Sequence, residues 1–427
     1  MAPVLLASIA SACGTHPRAN AARARAERAD LVVARDGSGD VRTIQEALDR
    51  IPPDNAANKV ILVRRGVYNE KLFVNAGHVS LVGEDREQTR IEFAELRRNW
   101  RQDHPDDWGA AVVNIGPDVT DLVLANLTVR NDYGSRFGDH DHQFAIRSGG
   151  NATRIALLHA DVRADGGDTV SLWNGTGGLY YHAECAFEGH VDYVCPRGWA
   201  YITHSRFYGH NLTASIWHDG SKDPDQKLVI RRSSFDGVPG FPLGRHHRDG
   251  QFYLIDATFS ANMADRPIYK APADNPYLWG ERYYYSGCRR DGGDFAWFAD
   301  NLARAPGAPR ADDVTPAWTF AGRWDPEATL PAVLPFAAIP RPEHEGRADA
   351  RGVTLRWLPG RNAVRQRIHF GGAAPPSFRG EQDRSSFDTG PLVAGRTYHW
   401  RIDTVTAAGT IPGRAWSFVA VRRENRS

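Results

Sequence analysis

Six segments of this chain repeat one pattern, and a repeat restricts the fold more tightly than any composition does. Short runs occur at 121–129 (DLVLANLTV), 154–162 (RIALLHADV), 179–187 (LYYHAECAF), 200–208 (AYITHSRFY), 228–236 (LVIRRSSFD) and 252–260 (FYLIDATFS). Each alternates apolar with polar or small side chains, the period of a strand with one buried face. The last apolar positions, Val129, Val162, Phe187, Phe207, Phe235 and Phe259, follow one another at intervals of 33, 25, 20, 28 and 24 residues. Repeats of about 20–50 residues mark solenoids and propellers. One patterned strand per unit, with loops of varying length between, fits a parallel β-helix better than a four-stranded blade. The expected fold class is therefore all-β, a single-stranded parallel β-helix. Residues 43–51, TIQEALDRI, put Ile44, Ala47, Leu48 and Ile51 on one helical face behind Thr43 as N-cap. That predicts a helix closing the open end of the solenoid.

A chain of 427 residues exceeds the usual span of one domain. Beyond about residue 305 the coil pattern stops and proline accumulates, then short alternating strands resume from VTLRWLP onward. The expected division is 1–29 as an export leader and tether, 30–336 as the β-helix, 337–348 as a linker, and 349–427 as a small β-sandwich. The last segment resembles a fibronectin type III module in LVAGRTYHWRIDTVTAAG followed by WSF, which implies spacing or attachment rather than chemistry.

The basic residues number 52 and the acidic ones 51, a formal charge of +1. That balance gives no footing for nucleic acid or a membrane surface as partner. No stretch reaches the roughly 20 apolar residues that span a bilayer. The opening MAPVLLASIASACGTHPRAN has a short apolar run, small residues and then Cys13. Two readings stand: a lipoprotein-type leader whose Cys13 carries a lipid anchor, or an ordinary secretion signal behind an early start. Both predict export, to the periplasm, the outer membrane or the medium. With Cys13 lipidated, Cys185, Cys195 and Cys288 remain, an odd number that supports no disulfide framework. Cys185 and Cys195 are read as a bonded pair or, preferably, as two buried thiols.

The coil length can be laid over the polar residues. Gln143 precedes Asp168 by 25 residues, Asp168 precedes Asp192 by 24, and Arg245 follows Asp192 by 53, about two coils. These four side chains are expected on one face of neighbouring coils, with Trp217, His218 and Asp219 of SIWHDG between. Two carboxylates close together in a groove cannot both ionise easily. A guanidinium forked onto Asp192 would keep it charged and oriented for nucleophilic attack, leaving Asp168 to carry a proton to a leaving alkoxide. An amide such as Gln143 can donate to the oxyanion of a tetrahedral intermediate. The set reads as acyl transfer through an aspartyl intermediate. His140 and His142, flanked by Asp139 and Asp141, are read as a solvated loop, because their spacing matches no closed zinc set.

The ordered motifs DGSGDVRTIQEALDRIP, GVYNEKLFV, SLVGED, HQFAIRSGG, GGDTVSLW, EGHVDYV, DPDQKLVIRRSSF and LGRHH resemble those of the pectin methylesterases over roughly residues 34–330. The resemblance implies a right-handed parallel β-helix and demethylation of galacturonate esters. It implies Asp192 as nucleophile, Asp168 as acid and then base, with Arg245 and Gln143 completing the catalytic set. Three departures mark a divergent member. Gly167 stands where the family has a glutamine next to the acid, His246 and His247 replace a proline and a tryptophan, and VDYVCPRG replaces a VDFIFGNA-type run. A backbone N–H, His218 or Arg197 is expected to supply the missing oxyanion donor, and Trp217, His218, His247 and Arg197 are the residues expected to meet substrate.

The reading that follows is an exported, monomeric carboxylic ester hydrolase acting on pectin or a homogalacturonan-type polysaccharide, with no cofactor and no metal. Two alternatives differ in class: a β-helix pectate lyase or glycosidase, and a pectin-binding protein without catalysis.

Overall fold

The computed structural model describes residues 29–220, 223–272, 278–280, 282–305 and 307–422. The leader with Cys13 lies outside these described residues. Contacts divide the chain into Ala29–Leu334 and a unit that begins at Pro335.

Ala29–Leu334 is built of three parallel sheets of ten, eight and nine strands, each sheet taking one strand from successive coils. Every repeat run resolves into two strands rather than one. Leu179–Ala183, for example, belongs to the ten-stranded sheet, and Ala186–Gly189 to the nine-stranded sheet. A single residue makes the corner between them. Asn126, His159, Glu184, His204, Arg232 and Asp256 hold φ between 47° and 57°, one left-handed residue at each of these corners. Such a conformation costs roughly 1–2 kcal/mol in a residue with a side chain. Alternation in sequence is blind to it, because a one-residue corner neither breaks the run nor requires glycine.

What offsets the corners is a column of side chains packed between coils. Val129, Val162, Phe187, Phe207, Phe235 and Phe259 stand in register from strand to strand of the nine-stranded sheet. Their rings follow one another at centroid spacings of 5.3, 4.3 and 5.6 Å along Phe187, Phe207, Phe235 and Phe259, the middle pair stacked and the outer two tilted. The repeat positions read from sequence are therefore one continuous core ladder. At the first coil, the helix Ile44–Asp49 buries Ile44, Ala47 and Leu48, and the Thr43 hydroxyl accepts the Glu46 N–H at 3.2 Å. The Glu70 carboxylate also accepts the N–H groups of Ile44 and Gln45, a negative charge set at the positive helix end.

The unit from Pro335 has a three-stranded sheet, Ala338–Arg341, Thr354–Leu358 and Ser386–Asp388. A second sheet contains Gly346–Asp349, Ala415–Val421, Thr397–Thr406, Arg365–Gly371 and Phe378–Gln382, with Gly409–Ile411 paired to its longest strand. Trp357, Trp400, Trp416, Ile368 and Phe418 form their shared core. Residues 337–348 are not the linker the sequence suggested, since they supply Ala338–Arg341 and most of Gly346–Asp349. Proline misled the reading. Pro340 lies on an edge strand of the three-stranded sheet, the place in a sheet where a missing N–H is tolerated.

Candidate active site

The eight-stranded sheet carries the site. Its strands Phe144–Ser148, Val170–Leu172, Val194–Pro196, Ile216–His218 and Gly244–His246 come from successive coils. Val170 pairs with Val194, which sets Asp168 and Asp192 level with each other two residues upstream. Both aspartates take the left-handed conformation, with φ of 60° and 53°. The Asp168 N–H donates to Val191 O at 3.0 Å and the Asp192 N–H to Ala214 O at 2.9 Å. Aspartate tolerates this backbone better than most residues, and the two coil-to-coil bonds hold it there.

Arg245 forks onto Asp192, Nε at 3.1 Å from Oδ1 and Nη2 at 2.6 Å from Oδ2. The guanidinium lies 5.0 Å from the centroid of the Trp217 ring, which in turn meets His247 edge-on at 4.4 Å. Asp192 is only 6% exposed, and burial lifts its carboxyl from 3.8 to about 6 against the pull of Arg245. It is therefore mostly ionised at neutral pH. Asp168, 8% exposed, accepts a hydrogen bond from Ser171 Oγ at 3.3 Å, and Arg197 Nη2 stands 3.9 Å from its Oδ2.

Two residues that the sequence reading passed over, Trp173 and Arg147, complete this wall beside Arg197, which it named. Trp173, partly exposed, donates from its indole to Ser171 Oγ at 3.0 Å. The guanidinium of Arg197 covers its ring at 3.7 Å and that of Arg147 at 4.6 Å. Arg147 also pairs with Asp107 at 3.1 Å, and its Nη1 is buried with no hydrogen-bond partner among the described residues. A signal was present. The spacing of 24 that levels the two aspartates also levels Trp173 with Arg197, one position beyond the Leu172–Pro196 pair.

Two expected donors are elsewhere engaged. Gln143 is fully buried: its Oε1 accepts the Gly134 N–H at 2.9 Å, and its Nε2 donates to Asp139 O at 2.6 Å and Asp165 O at 3.4 Å. With every amide group bonded to loop backbone, Gln143 fastens the turn around Gly134 rather than offering a donor to an oxyanion. His218 is also fully buried, with Nε2–H on Gly198 O at 2.8 Å and Nδ1 accepting the Gly220 N–H at 3.2 Å. Burial depresses it to about 4, so it is a neutral loop fastener and not a substrate contact. Trp217, 6% exposed and packed with Cys195 and Ala271, backs Arg245 rather than forming an open platform. His247 remains at the rim, its Nδ1 3.6 Å from Asp219 Oδ1. The His140 and His142 cluster is taken up by loop contacts: His140 stacks on His190 at 4.6 Å, and His142 Nδ1 bonds Asp141 at 2.7 Å.

The local backbone also accounts for Gly167. A Cβ there would lie 2.9 Å from Val191 Cγ1 and 3.1 Å from Val191 O, so a larger side chain needs the next coil to shift.

With this geometry in place, comparison with known proteins is specific. Residues 30–235 match the model of the pectinesterase family. That match takes in just under half of the chain. The match contains Gln143, Asp168, Asp192, Arg197, Trp217 and His218, and it ends before Arg245 and His247. Pectinesterase 2 of Citrus sinensis is 26% identical over 207 residues, covering 48% of this chain and 38% of that protein. A pectinesterase of Petunia integrifolia is 26% identical over 207 residues, covering 47% of this chain and 51% of its own length. The chain thus spans between about two fifths and one half of these relatives. The solved pectin methylesterase of Erwinia chrysanthemi superimposes with a TM-score of 0.57 at 18% identity, covering 71% of this chain and 99% of that one. That likeness establishes the parallel β-helix.

Proposed function

We propose that this protein is a carboxylic ester hydrolase that removes methyl groups from galacturonate methyl esters of pectin through an acyl-enzyme on Asp192. The observation that carries the reading is the forked Arg245–Asp192 pair standing level with a second carboxylate, Asp168, on the adjacent coil. A carboxylate held by two charge-assisted bonds presents a fixed oxygen to an ester carbonyl. Asp192 attacks, the tetrahedral intermediate collapses, and Asp168 protonates the departing methoxide. Water then attacks the acyl carbon with Asp168 as base, and Asp192 leaves as carboxylate. His247, at the rim over Trp217, is positioned to meet the polysaccharide beside the ester. Relatives named as pectinesterases support the substrate class. Export rests on the leader sequence, and the unit from Pro335 is read as a fibronectin type III-like spacer or attachment module.

Methanol release from methylated homogalacturonan and from branched pectins tests the reading. Asp192→Asn keeps the shape and the Arg245 contact but removes the nucleophile, so the variant is expected to fold and release no methanol. Turnover by that variant at more than a few per cent of the parent rate would sink the acyl-enzyme assignment.

The engaged amide of Gln143 and the bare Gly167 favour a second reading, a pectin-binding protein without turnover. Retention on a pectin matrix with no methanol from any methylated substrate would select it.

A further inference from the structure

Ester attack by Asp192 moves the carbonyl π pair onto oxygen, and a site that accelerates this step needs a donor aimed at that charge. The neutral amides and imidazoles in the neighbourhood do not provide one. Gln143 and His218 have their donors on loop carbonyls, Gly167 has no side chain, and the Nε and Nη2 of Arg245 are held by Asp192.

Arg197 is placed differently. It follows the strand Val194–Pro196 directly and is only 9% exposed. Its Nη1 donates to Ser171 Oγ and to Cys195 Sγ, both at 3.2 Å, while its plane rests on the Trp173 indole at 3.7 Å. These contacts fix the guanidinium without using Nη2. That nitrogen lies 3.9 Å from Asp168 Oδ2, outside hydrogen-bond distance, and has no acceptor among the described residues. Its charge is felt at both carboxylates, drawing Asp192 toward the ionised form and being held itself by Asp168. A rigid, largely buried cation with free N–H groups beside Asp168 is the arrangement that stabilises a developing oxyanion without reorganising.

We propose that Arg197 is a catalytic residue whose Nη2–H groups bind the oxyanion formed when Asp192 attacks the substrate ester, an inference that rests on the esterase reading above. As the Asp192 Oδ–carbon bond forms, the displaced π pair on the carbonyl oxygen accepts from Nη2. When the pair returns, the carbon–methoxy bond breaks and the methoxy oxygen takes the Asp168 proton. Water attack on the acyl carbon builds a second oxyanion in the same place, the water proton passes to Asp168, and the bond to Asp192 breaks.

The test is a comparison of Arg197→Met, Arg197→Gln and Asp168→Asn on a methyl ester and on an activated aryl ester of the same uronide. Loss of an oxyanion donor costs about 10²–10³-fold in rate. Arg197→Met is expected to lose that factor in kcat on both esters with KM little changed, and Arg197→Gln to recover part of it through a neutral donor. Asp168→Asn is expected to spare the acylation burst on the activated ester, whose leaving group needs no proton, while slowing the deacylation common to both esters. Arg197→Gln, polar and smaller, keeps the test alive if the methionine variant does not fold. An Arg197→Gln or Arg197→Met enzyme within threefold of the parent overturns the inference while leaving the esterase reading intact. So does a loss confined to the methyl ester, which would make Arg197 a positioning residue for Asp168. A parent that cleaves neither ester, or an Asp192→Asn variant that cleaves both, overturns the esterase reading and this inference with it.

Discussion

At the residue scale, the controlling quantity is the ionisation of Asp192. Burial raises its carboxyl to about 6, and Arg245 works against that rise. The nucleophile is the ionised form, so kcat/KM is expected to fall tenfold per pH unit below about 6, measurable in a pH–rate profile of methanol release. Arg245→Met removes the group that lowers the value, so the acid limb should move to higher pH, by about 1–3 units for loss of an opposite charge at contact distance. An unmoved limb in that variant would show that another group titrates. The same shift acts on stability. Between 3.8 and about 6 the folded chain keeps a proton that the unfolded chain has released, so stability declines as pH rises through that window. The cost is on the order of 3 kcal/mol once Asp192 is fully ionised. Asp192→Asn should therefore gain on the parent in denaturant midpoint between pH 4 and pH 8, even as it loses activity.

At the scale of the strand and its corner, the phenylalanine column carries the tolerances. Phe207 lies between Phe187 and Phe235 and also meets Tyr193, the residue after the proposed nucleophile. Phe207→Ala is expected to cost about 3–5 kcal/mol in urea unfolding, the usual range for a buried aromatic whose neighbours cannot collapse. A milder loss would mean that the coils close over the gap. The same column explains what was legible in the sequence. Its members are the last apolar residue of each run, so period and burial were readable together, and the spacing of 24 put Asp168 beside Asp192. The corners were not legible, because any polar residue can adopt one left-handed conformation when its neighbours hold it. Nor was the fate of Gln143. Coil register gives the place of a backbone, but the turn at Gly134 that takes its amide comes from the loop between Thr128–Asn131 and Phe144–Ser148, which no period describes. Arg197 was named from the sequence as a candidate donor, whereas Trp173, level with it by the register rule, was missed because a tryptophan under an arginine matches no familiar catalytic pattern.

At the scale of the whole molecule, the β-helix holds together without covalent staples. Cys185, Cys195 and Cys288 are free and buried, and burial pushes the thiols of Cys185 and Cys288 up to about 12. The melting temperature is expected to be the same with and without dithiothreitol, and the three thiols should resist alkylation until the chain unfolds. A melting temperature that drops under reducing conditions would point to a bond the structure lacks. Stability then resides in neighbour-to-neighbour stacking, and a stack frays from its ends. The aspartates precede the fourth and fifth of the eight strands in their sheet, so three strands stand on either side of that pair. A protease trimming an end coil would reach the two aspartates last, whereas Arg245, one strand in from the outermost Tyr269–Lys270, would lose its support first and leave the nucleophile without its clamp.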